Sequence, residues 1–276
     1  GASAVEADRD QRRLFAELLQ PLPRQPGSSR RVEARGVAPR IFRVTARASG
    51  GSYNSGIFNA QSAQPEINSV AAEAHGPATQ NTGVYSILAQ PVLADVAAAA
   101  SGADTNAGIH NFGVAVSLTR VSARASGGEV AYGLYCNQTL GVMAFIDVSA
   151  SGAAMNNYGL YLYNNASPLI QDARIEVGSG PANFGVYMSS CSSEVSPLLT
   201  EVSGPGQNYG LYLPAASAPR LPQAPVPASG GTANHALCTG AASPELKSAV
   251  AVAKGDDSHA VTMTAGGGSL KAFHSL

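Results

Sequence analysis

The chain has 276 residues, a formal net charge of −1, and only 13% charged residues, about half the usual fraction. The small net charge argues against nucleic acid as a partner of the whole chain, and no stretch approaches the roughly 20 consecutive apolar residues of a membrane-spanning helix. Glycine occurs 30 times, aromatic residues make up 6%, and tryptophan is absent. This composition is typical of a repeat protein rather than of a conventional enzyme.

The N-terminal region differs from the rest of the chain. Residues 4–20 predict a short amphipathic helix with Leu14 and Leu18 on one side. This helix ends at Pro21, and an arm rich in arginine and proline follows up to residue 36. We interpret residues 1–36 as a cap on the domain that follows or as a contact with a neighbouring subunit.

Positive charge is concentrated at this end. The first 47 residues contain ten of the seventeen basic residues, all arginine, and five acidic ones, so they carry +5 and the remainder −6. Such a segment is either a solvated arm or a contact for an acidic surface, such as a second subunit, a cell-surface polyanion or anionic lipid. The predicted contact residues are Arg9, Arg12, Arg13, Leu14, Leu18, Arg30 and Arg31.

After this arm, one motif recurs: Asn, any residue, Gly, an aliphatic residue and an aromatic residue. Its clearest copies are 157–161, 183–187 and 208–212, and successive copies start 24 to 27 residues apart. A Ser-Gly pair precedes most motif glycines by six to eight residues. Short alternating runs such as Ile146–Val148 predict strands, and the period is too short for helical repeats. Three short strands per period predict a coil, and stacked coils predict a solenoid.

With this motif, the chain resembles the right-handed parallel β-helix repeat proteins of bacterial surfaces and secretions over about residues 37–274. The resemblance implies an all-β, single-stranded right-handed parallel β-helix of about eight to nine coils, with residues 37–276 as the β-helix domain. It also implies an extracellular or cell-surface protein. No signal peptide is visible in the sequence, and we expect that one has been removed.

We number the repeated positions from the motif glycine, which is position 0, and predict whether each position faces the inside or the outside of the solenoid. Position +1 is aliphatic and is predicted to face inward, and strict alternation then turns position −1 inward and position +2 outward. The +2 residues form a predicted exposed aromatic stripe for binding or lateral assembly. An alternative is a local bend that turns the same rings into the core. The stripe consists of Phe58, Tyr85, His110, Tyr135, Tyr161, Tyr187 and Tyr212.

Position −2 is asparagine in seven of the first eight copies. Asparagine suits turns, and stacked asparagines bond to one another along the axis of such an assembly. We interpret this column as a structural ladder rather than as a binding site. Its members are Asn54, Asn81, Asn106, Asn157, Asn183, Asn208 and Asn234.

The three cysteines are predicted to be free thiols. Cys136 and Cys191 are two turns apart, as are Cys191 and Cys238. Two turns of a solenoid separate backbones by nearly 10 Å, beyond the roughly 7 Å limit for a disulfide.

Residues for catalysis are scattered. Enzymes of the β-helix fold, such as pectate lyases and polygalacturonases, carry clustered acidic residues on one face. Here Asp147 and Asp172 are the best candidates for a carboxylate pair, and Asp95 and Arg120 predict a surface ion pair. The five histidines show no metal-ligand spacing. We predict no catalytic residue, metal or cofactor.

The sequence therefore favours a non-enzymatic extracellular structural or adhesive β-solenoid whose partner is a second copy of itself, assembled end to end into a fibre. The alternative is a carbohydrate-binding or polysaccharide-degrading β-helix protein that uses the aromatic stripe as a sugar-stacking platform. In that case the partner is a surface polysaccharide.

Overall fold

The computed structural model describes residues 27–214, 217–240, 242–246, 249–255 and 257–263, and all their regular secondary structure is β-strand. The predicted helix over residues 4–20 lies outside the described residues. So do five of the predicted N-terminal contacts, which are Arg9, Arg12, Arg13, Leu14 and Leu18.

The described residues form 23 strands. The first twelve are β1 (Ser28–Arg35), β2 (Arg40–Phe42), β3 (Thr45–Ala48), β4 (Tyr53–Ala60), β5 (Glu66–His75), β6 (Gln80–Ile87), β7 (Val92–Ser101), β8 (Thr105–Phe112), β9 (Ala115–Ser126), β10 (Val130–Asn137), β11 (Leu140–Ser151) and β12 (Asn156–Tyr163). The others are β13 (Leu169–Gly178), β14 (Ala182–Ser189), β15 (Glu194–Val195), β16 (Leu198–Ser203), β17 (Gln207–Leu213), β18 (Arg220–Leu221), β19 (Ala224–Ser229), β20 (Ala233–Thr239), β21 (Glu245–Leu246), β22 (Ala249–Lys254) and β23 (Ser258–Met263).

The strands form two parallel sheets that the chain visits alternately. Sheet A has ten strands in the order β1-β4-β6-β8-β10-β12-β14-β17-β20-β23, and sheet B contains the other thirteen. Each strand of sheet A pairs in parallel with the strands one turn before and after it. The described residues therefore form a parallel β-solenoid of about nine turns, which confirms the all-β solenoid predicted from the repeat.

Sheet B bends along one line, which gives each turn its third side. One residue at this line has a left-handed backbone in each of six successive turns, with φ between 51° and 55°. A left-handed residue inside a strand interrupts the pleat and redirects the chain. These corner residues are Arg43, Ser69, Asp95, Arg120, Phe145 and Asp172.

The core lies between the two sheets and is narrow. Aliphatic residues at position +1, such as Ile109 and Leu160, are fully buried. A Cβ atom added to the motif glycine Gly159 would lie 2.2 Å from Cγ2 of Ile175 in sheet B. The motif glycines are therefore needed because the sheets approach too closely for a side chain, and not for a left-handed φ.

The prediction that position −1 faces inward is wrong. The strict alternation is interrupted at the motif glycine, so that positions −2, +1 and +3 are all buried, as at Asn157, Leu160 and Leu162. Tyr158 at position −1 is half-buried, and its ring contacts that of Tyr161 at position +2. Positions −1 and +2 therefore share the outer face of sheet A.

The solenoid also begins earlier than the expected start near Val37. Strand β1 falls within the segment interpreted as an arm, yet it pairs with β4, and Val32 lies beside Ile57. Arg31 stands where β4 has its motif glycine, Gly56, so this turn carries no recognisable copy of the motif.

Candidate functional site

The aromatic stripe lies on the outer face of sheet A, with one ring on each of seven successive turns. Ring centroids of adjacent members are 4.3 to 5.5 Å apart, close to the separation of strands in a sheet. His110 is stacked between two rings, 4.8 Å from Tyr85 and 4.3 Å from Tyr135. The stripe is therefore a continuous ladder of rings along the solenoid axis.

A second aromatic column runs beside the stripe at position −1. Its adjacent rings are nearly parallel, with interplanar angles from 4° to 14° and centroids 4.9 to 5.3 Å apart. Strict alternation predicts these rings inside the solenoid, so this surface column does not follow from the sequence pattern. This second column consists of Tyr132, Tyr158, Phe184, Tyr209, His235 and His259.

The two columns cover each other's ring faces. Tyr158 has Tyr132 on one face and Phe184 on the other, and the ring of Tyr161 is nearly perpendicular to it, with the two ring centroids 4.9 Å apart. The rings of this region therefore offer mainly edges and hydroxyl groups to a ligand. A sugar that stacks on an aromatic ring needs a free face. This geometry favours a structural role for the stripe over a stacking platform.

The tyrosine hydroxyl groups of this face are neutral at physiological pH, and burial raises their pKa values further. Burial raises the pKa of Tyr158 to about 12, and the pKa values of Tyr132 and Tyr161 are also raised, chiefly by burial. Neutral phenols both donate and accept hydrogen bonds. The face therefore combines apolar ring edges with uncharged hydroxyls at physiological pH.

His110 is the one member of the stripe that titrates near neutrality in an unfolded chain. Burial lowers its pKa from 6.5 to about 4, and its Nδ1 atom is buried with no hydrogen-bond partner among the described residues. A charge on this ring has to remain in an apolar stack with little solvation. His110 is therefore neutral in the folded protein above about pH 4.

We expect His110 to make the solenoid sensitive to acid. Between pH 6.5 and 4 the unfolded chain takes up a proton at His110 that the folded chain does not. The free energy of unfolding should therefore fall by about 3 kcal/mol as the pH falls through this range. Denaturation of wild type and His110→Phe at several pH values measures this contribution as their difference. Parallel pH profiles for the two proteins contradict the prediction.

The N-terminal end of the stripe is covered by charged side chains of β1. The guanidinium of Arg30 lies 3.8 Å from the centroid of the Phe58 ring, and Phe58 is only 6% exposed. Arg30 donates to Glu33 at 3.0 Å, and Arg35 binds the same carboxylate. Arg30, one of the residues predicted to belong to a cap or an intersubunit contact, binds within its own chain, whereas Arg31 is exposed.

A shallow groove of about 240 Å³ lies beside this end of the stripe. Its lining includes the small side chains Ser55 and Thr82, which occupy position −1 in turns where no ring fills the column. Tyr53 and Tyr85 also line it, and Tyr53 is 55% exposed. Ser55 and Thr82 are themselves buried, so the exposed Tyr53 and the half-buried Gln80 form the accessible part of the groove.

The asparagine column lies inside the solenoid, where all seven members are almost fully buried. Nδ2 of Asn157 donates to Oδ1 of Asn183, that of Asn183 to Asn208, and that of Asn208 to Asn234, each at 2.9 Å. Asn54 donates in the same way to Asn81 at 2.8 Å. These bonds join successive turns along the axis.

The same asparagines satisfy the backbone at the Ser-Gly corner between the sheets. Nδ2 of Asn81 donates to the Ser101 carbonyl at 2.6 Å, and Nδ2 of Asn106 donates to the Gly127 carbonyl at 3.0 Å. Buried carbonyl groups require such partners. The arrangement explains why asparagine, which supplies both a donor and an acceptor, recurs beside this corner.

The acidic residues do not converge. Asp147 lies 3.5 Å from Arg124 in an ion pair, whereas Asp172 occupies a corner position, out of register with it. The predicted pair of Asp95 and Arg120 is present as two hydrogen bonds of 2.6 and 2.8 Å, which hold the pKa of Asp95 below its usual range. No group of three metal-ligating side chains occurs in the described part of the chain.

The cysteines are free thiols, as predicted. Burial raises the pKa of Cys136 to about 12 and that of Cys191 to about 11. Thiols with such pKa values carry little thiolate at neutral pH and react slowly.

No protein-family model, curated protein or solved structure matches the chain. The stacked turns and internal ladders define a parallel β-solenoid. Among the described residues, no helix has the length and apolar character needed to cross a membrane.

Proposed function

We propose that this chain is a non-enzymatic structural or adhesive β-solenoid of the cell surface or extracellular space, which assembles end to end into a fibre. This location is proposed because the repeat resembles those of bacterial surface and secreted β-helix proteins.

One observation carries the structural role: the register of sheet A continues through about nine turns. At about 4.8 Å per turn, the described part is a rod about 43 Å long. Asparagine bonds inside the rod and stacked rings outside it join each turn to the next. Such one-dimensional stacking suits a scaffold that transmits force or extends a surface.

The two ends of sheet A support growth along the axis. Strands β1 and β23 are the terminal strands of the described sheet, so each has one edge that pairs with no other described strand. They carry the same residue types at two interior positions: Ser29 and Ser258 at position −2, and Val32 and Val261 at position +1. A second copy stacked on the first therefore places serine near serine and valine near valine.

Negative-stain electron microscopy over a range of concentrations tests the fibre. We expect rods that lengthen with concentration, and we expect Val32→Lys to remove them because it places a charge at the junction. Val37→Lys, at an exposed position outside the strands, is the matched control. Thermal denaturation shows whether both variants fold. Rods of constant single-molecule length at every concentration overturn the proposal.

Carbohydrate binding is a second candidate function, and the groove beside Tyr53 is the observation that favours it. Tyr53 stacks on no ring of the described residues, so it has a free face beside the half-buried amide side chain of Gln80, which lies in register with it on the next turn. An exposed aromatic face with polar neighbours is a suitable surface for a sugar ring.

A glycan array with wild type and Tyr53→Ala tests this function. We expect Tyr53→Ala to abolish binding and Tyr163→Ala, which removes an exposed tyrosine outside the groove, to retain it. Loss of binding in Tyr161→Ala alone places the glycan on the stripe instead. Wild-type protein that binds no glycan contradicts this candidate function.

A further inference from the structure

The outer face of sheet B carries a column of residues, one per turn, that no part of the proposed function uses. Its centre is uncharged over four turns, where the apolar Val92, Val142 and Leu169 lie in register with Ser117. Val92 is 47% exposed and Val142 is 43% exposed. Neighbouring side chains of this region, such as Ala94 and Ala144, are small, so the face is flat.

Both ends of this column are charged. At one end Arg40 Nε binds Glu66 Oε2 at 2.8 Å. At the other end Arg220 lies between two carboxylates, 3.4 Å from Glu194 and 3.2 Å from Glu245. An apolar centre with a charged rim is the usual anatomy of a protein interface.

The turn at the middle of the column is the most apolar. Strand β11 supplies Leu140 (54% exposed) and Val142, and Phe145 at its corner is 58% exposed. All three belong to the fifth of the nine turns of the column. An interface centred on this turn removes three large apolar side chains from water in each molecule.

We propose that this face of sheet B binds a second copy of the same chain, antiparallel to the first, with a two-fold axis through the turn of Val142. The axis places Val142 opposite Val142 and Leu140 opposite Leu140 of the second copy. Such a contact is isologous and closes as a dimer. It is independent of the end-to-end fibre, which uses the ends of the rod.

Charge selects this alignment. About the proposed axis, Arg40 faces Glu245 of the second copy and Glu66 faces Arg220. At the corner line, Arg120 likewise faces Asp172. Each contact occurs twice by symmetry. The same axis sets Val92 against Glu194 and Ser117 against Leu169, so the opposite charges meet at the two ends of the column, where Arg40 and Glu66 face Glu245 and Arg220.

The other alignments oppose like charges. A shift of one turn in one direction sets Arg40 against Arg220 and Glu66 against Glu194. A shift in the other direction sets Glu66 against Glu245. A parallel pairing about an axis along the solenoid sets every residue against itself, so each charge faces its like. These alternatives are penalised, which fixes the register.

The size of the face is sufficient for a dimer. Nine turns extend about 43 Å, and the strip from Leu140 to Phe145 is about 15 Å wide, which gives on the order of 600 Å² per copy. This value is near the lower end of specific interfaces, so we expect a reversible dimer.

Analytical ultracentrifugation of the full chain tests the proposal. We expect a monomer–dimer equilibrium that Val142→Asp weakens at least 100-fold, because two carboxylates then meet at the axis. Leu199→Asp, at a position of the same 43% exposure away from this face, is the control and should leave the equilibrium unchanged. A monomer at all concentrations, or a dimer unaffected by Val142→Asp, overturns the proposal.

Cysteine crosslinking tests the antiparallel axis separately. Under copper-phenanthroline oxidation, Val142→Cys should form a covalent dimer, because the two residues meet at the axis. The wild type and Leu199→Cys should not form one, since the native cysteines lie elsewhere. Equal crosslinking of Val142→Cys and Leu199→Cys contradicts the axis. Filaments without a lateral dimer leave the fibre standing and overturn this inference alone.

Discussion

Gly159→Ala should destabilise the solenoid by about 3 kcal/mol or more, although it adds a single methyl group. The new Cβ atom would lie 2.2 Å from Cγ2 of Ile175, 2.8 Å from Cγ2 of Val177 and 2.7 Å from the carbonyl oxygen of Gly185 on the next turn. Branched side chains have few alternative rotamers, and the carbonyl is part of the sheet ladder, so neither neighbour moves easily. Urea denaturation followed by circular dichroism measures the loss.

Gly127→Asn is the matched control. Gly127 belongs to a Ser-Gly corner, where the chain passes from β9 of sheet B to β10 of sheet A. A Cβ atom added to Gly127 would meet no other atom within 4 Å. Its φ of 72° is left-handed, a conformation that asparagine tolerates. We expect a change within about 0.5 kcal/mol. If Gly159→Ala is as mild as this control, the sheets do not approach as closely as the structure shows.

The second large effect should come from Asn183→Ala. Asn183 is fully buried, accepts a hydrogen bond from Asn157, and donates to Asn208 at 2.9 Å and to the carbonyl of Gly180 at 2.8 Å. Alanine at this position leaves the side-chain amides of Asn157 and Asn208 and the carbonyl of Gly180 each without the hydrogen bond that Asn183 provides. Since each such group costs roughly 1–3 kcal/mol, we expect a loss of about 3 kcal/mol or more. Chemical denaturation provides the measurement.

The neighbouring Asn156→Ala is the control, because Asn156 is half-buried and precedes the ladder residue Asn157 on the same strand. We expect a change below about 0.5 kcal/mol. Equal losses for Asn156→Ala and Asn183→Ala contradict a stabilising ladder.

Asn183→Asp tests the same site by charge. A buried carboxyl facing two acceptors has a pKa raised above its unfolded value of about 3.9. The stability of this variant should therefore be highest below about pH 4 and fall as the pH rises, by about 1.4 kcal/mol per pH unit up to the folded pKa. A variant whose stability relative to wild type is independent of pH contradicts this expectation.

These predictions divide the molecule into an inside that holds the turns together and two outer faces that are available for binding. Gly159 and Asn183 belong to the inside, where substitutions change stability. Val142 and Tyr53 are exposed, so their substitution should change association or ligand binding and leave stability nearly unchanged. Measuring stability and binding together therefore separates the roles proposed for each surface.

Sequence patterns predicted the stacked columns well where the residue type recurs. The asparagine column and the aromatic stripe were found because the same side chain returns every 24 to 27 residues. Strand β1 was missed because Arg31 replaces the motif glycine. The sheet B column was missed as well, since its residues alternate among charged, apolar and hydroxyl types and share only their register.

The sequence by itself determined the period, the number of turns and the residues that stack in each column, because a parallel solenoid sets residues one period apart side by side. Only the tertiary structure decided which columns face outward. The interruption of the pleat at each motif glycine brings positions −1 and +2 to the same face, and strict alternation does not anticipate it. The paired charges and apolar centre of sheet B likewise become one surface only when nine separate segments are wound into register.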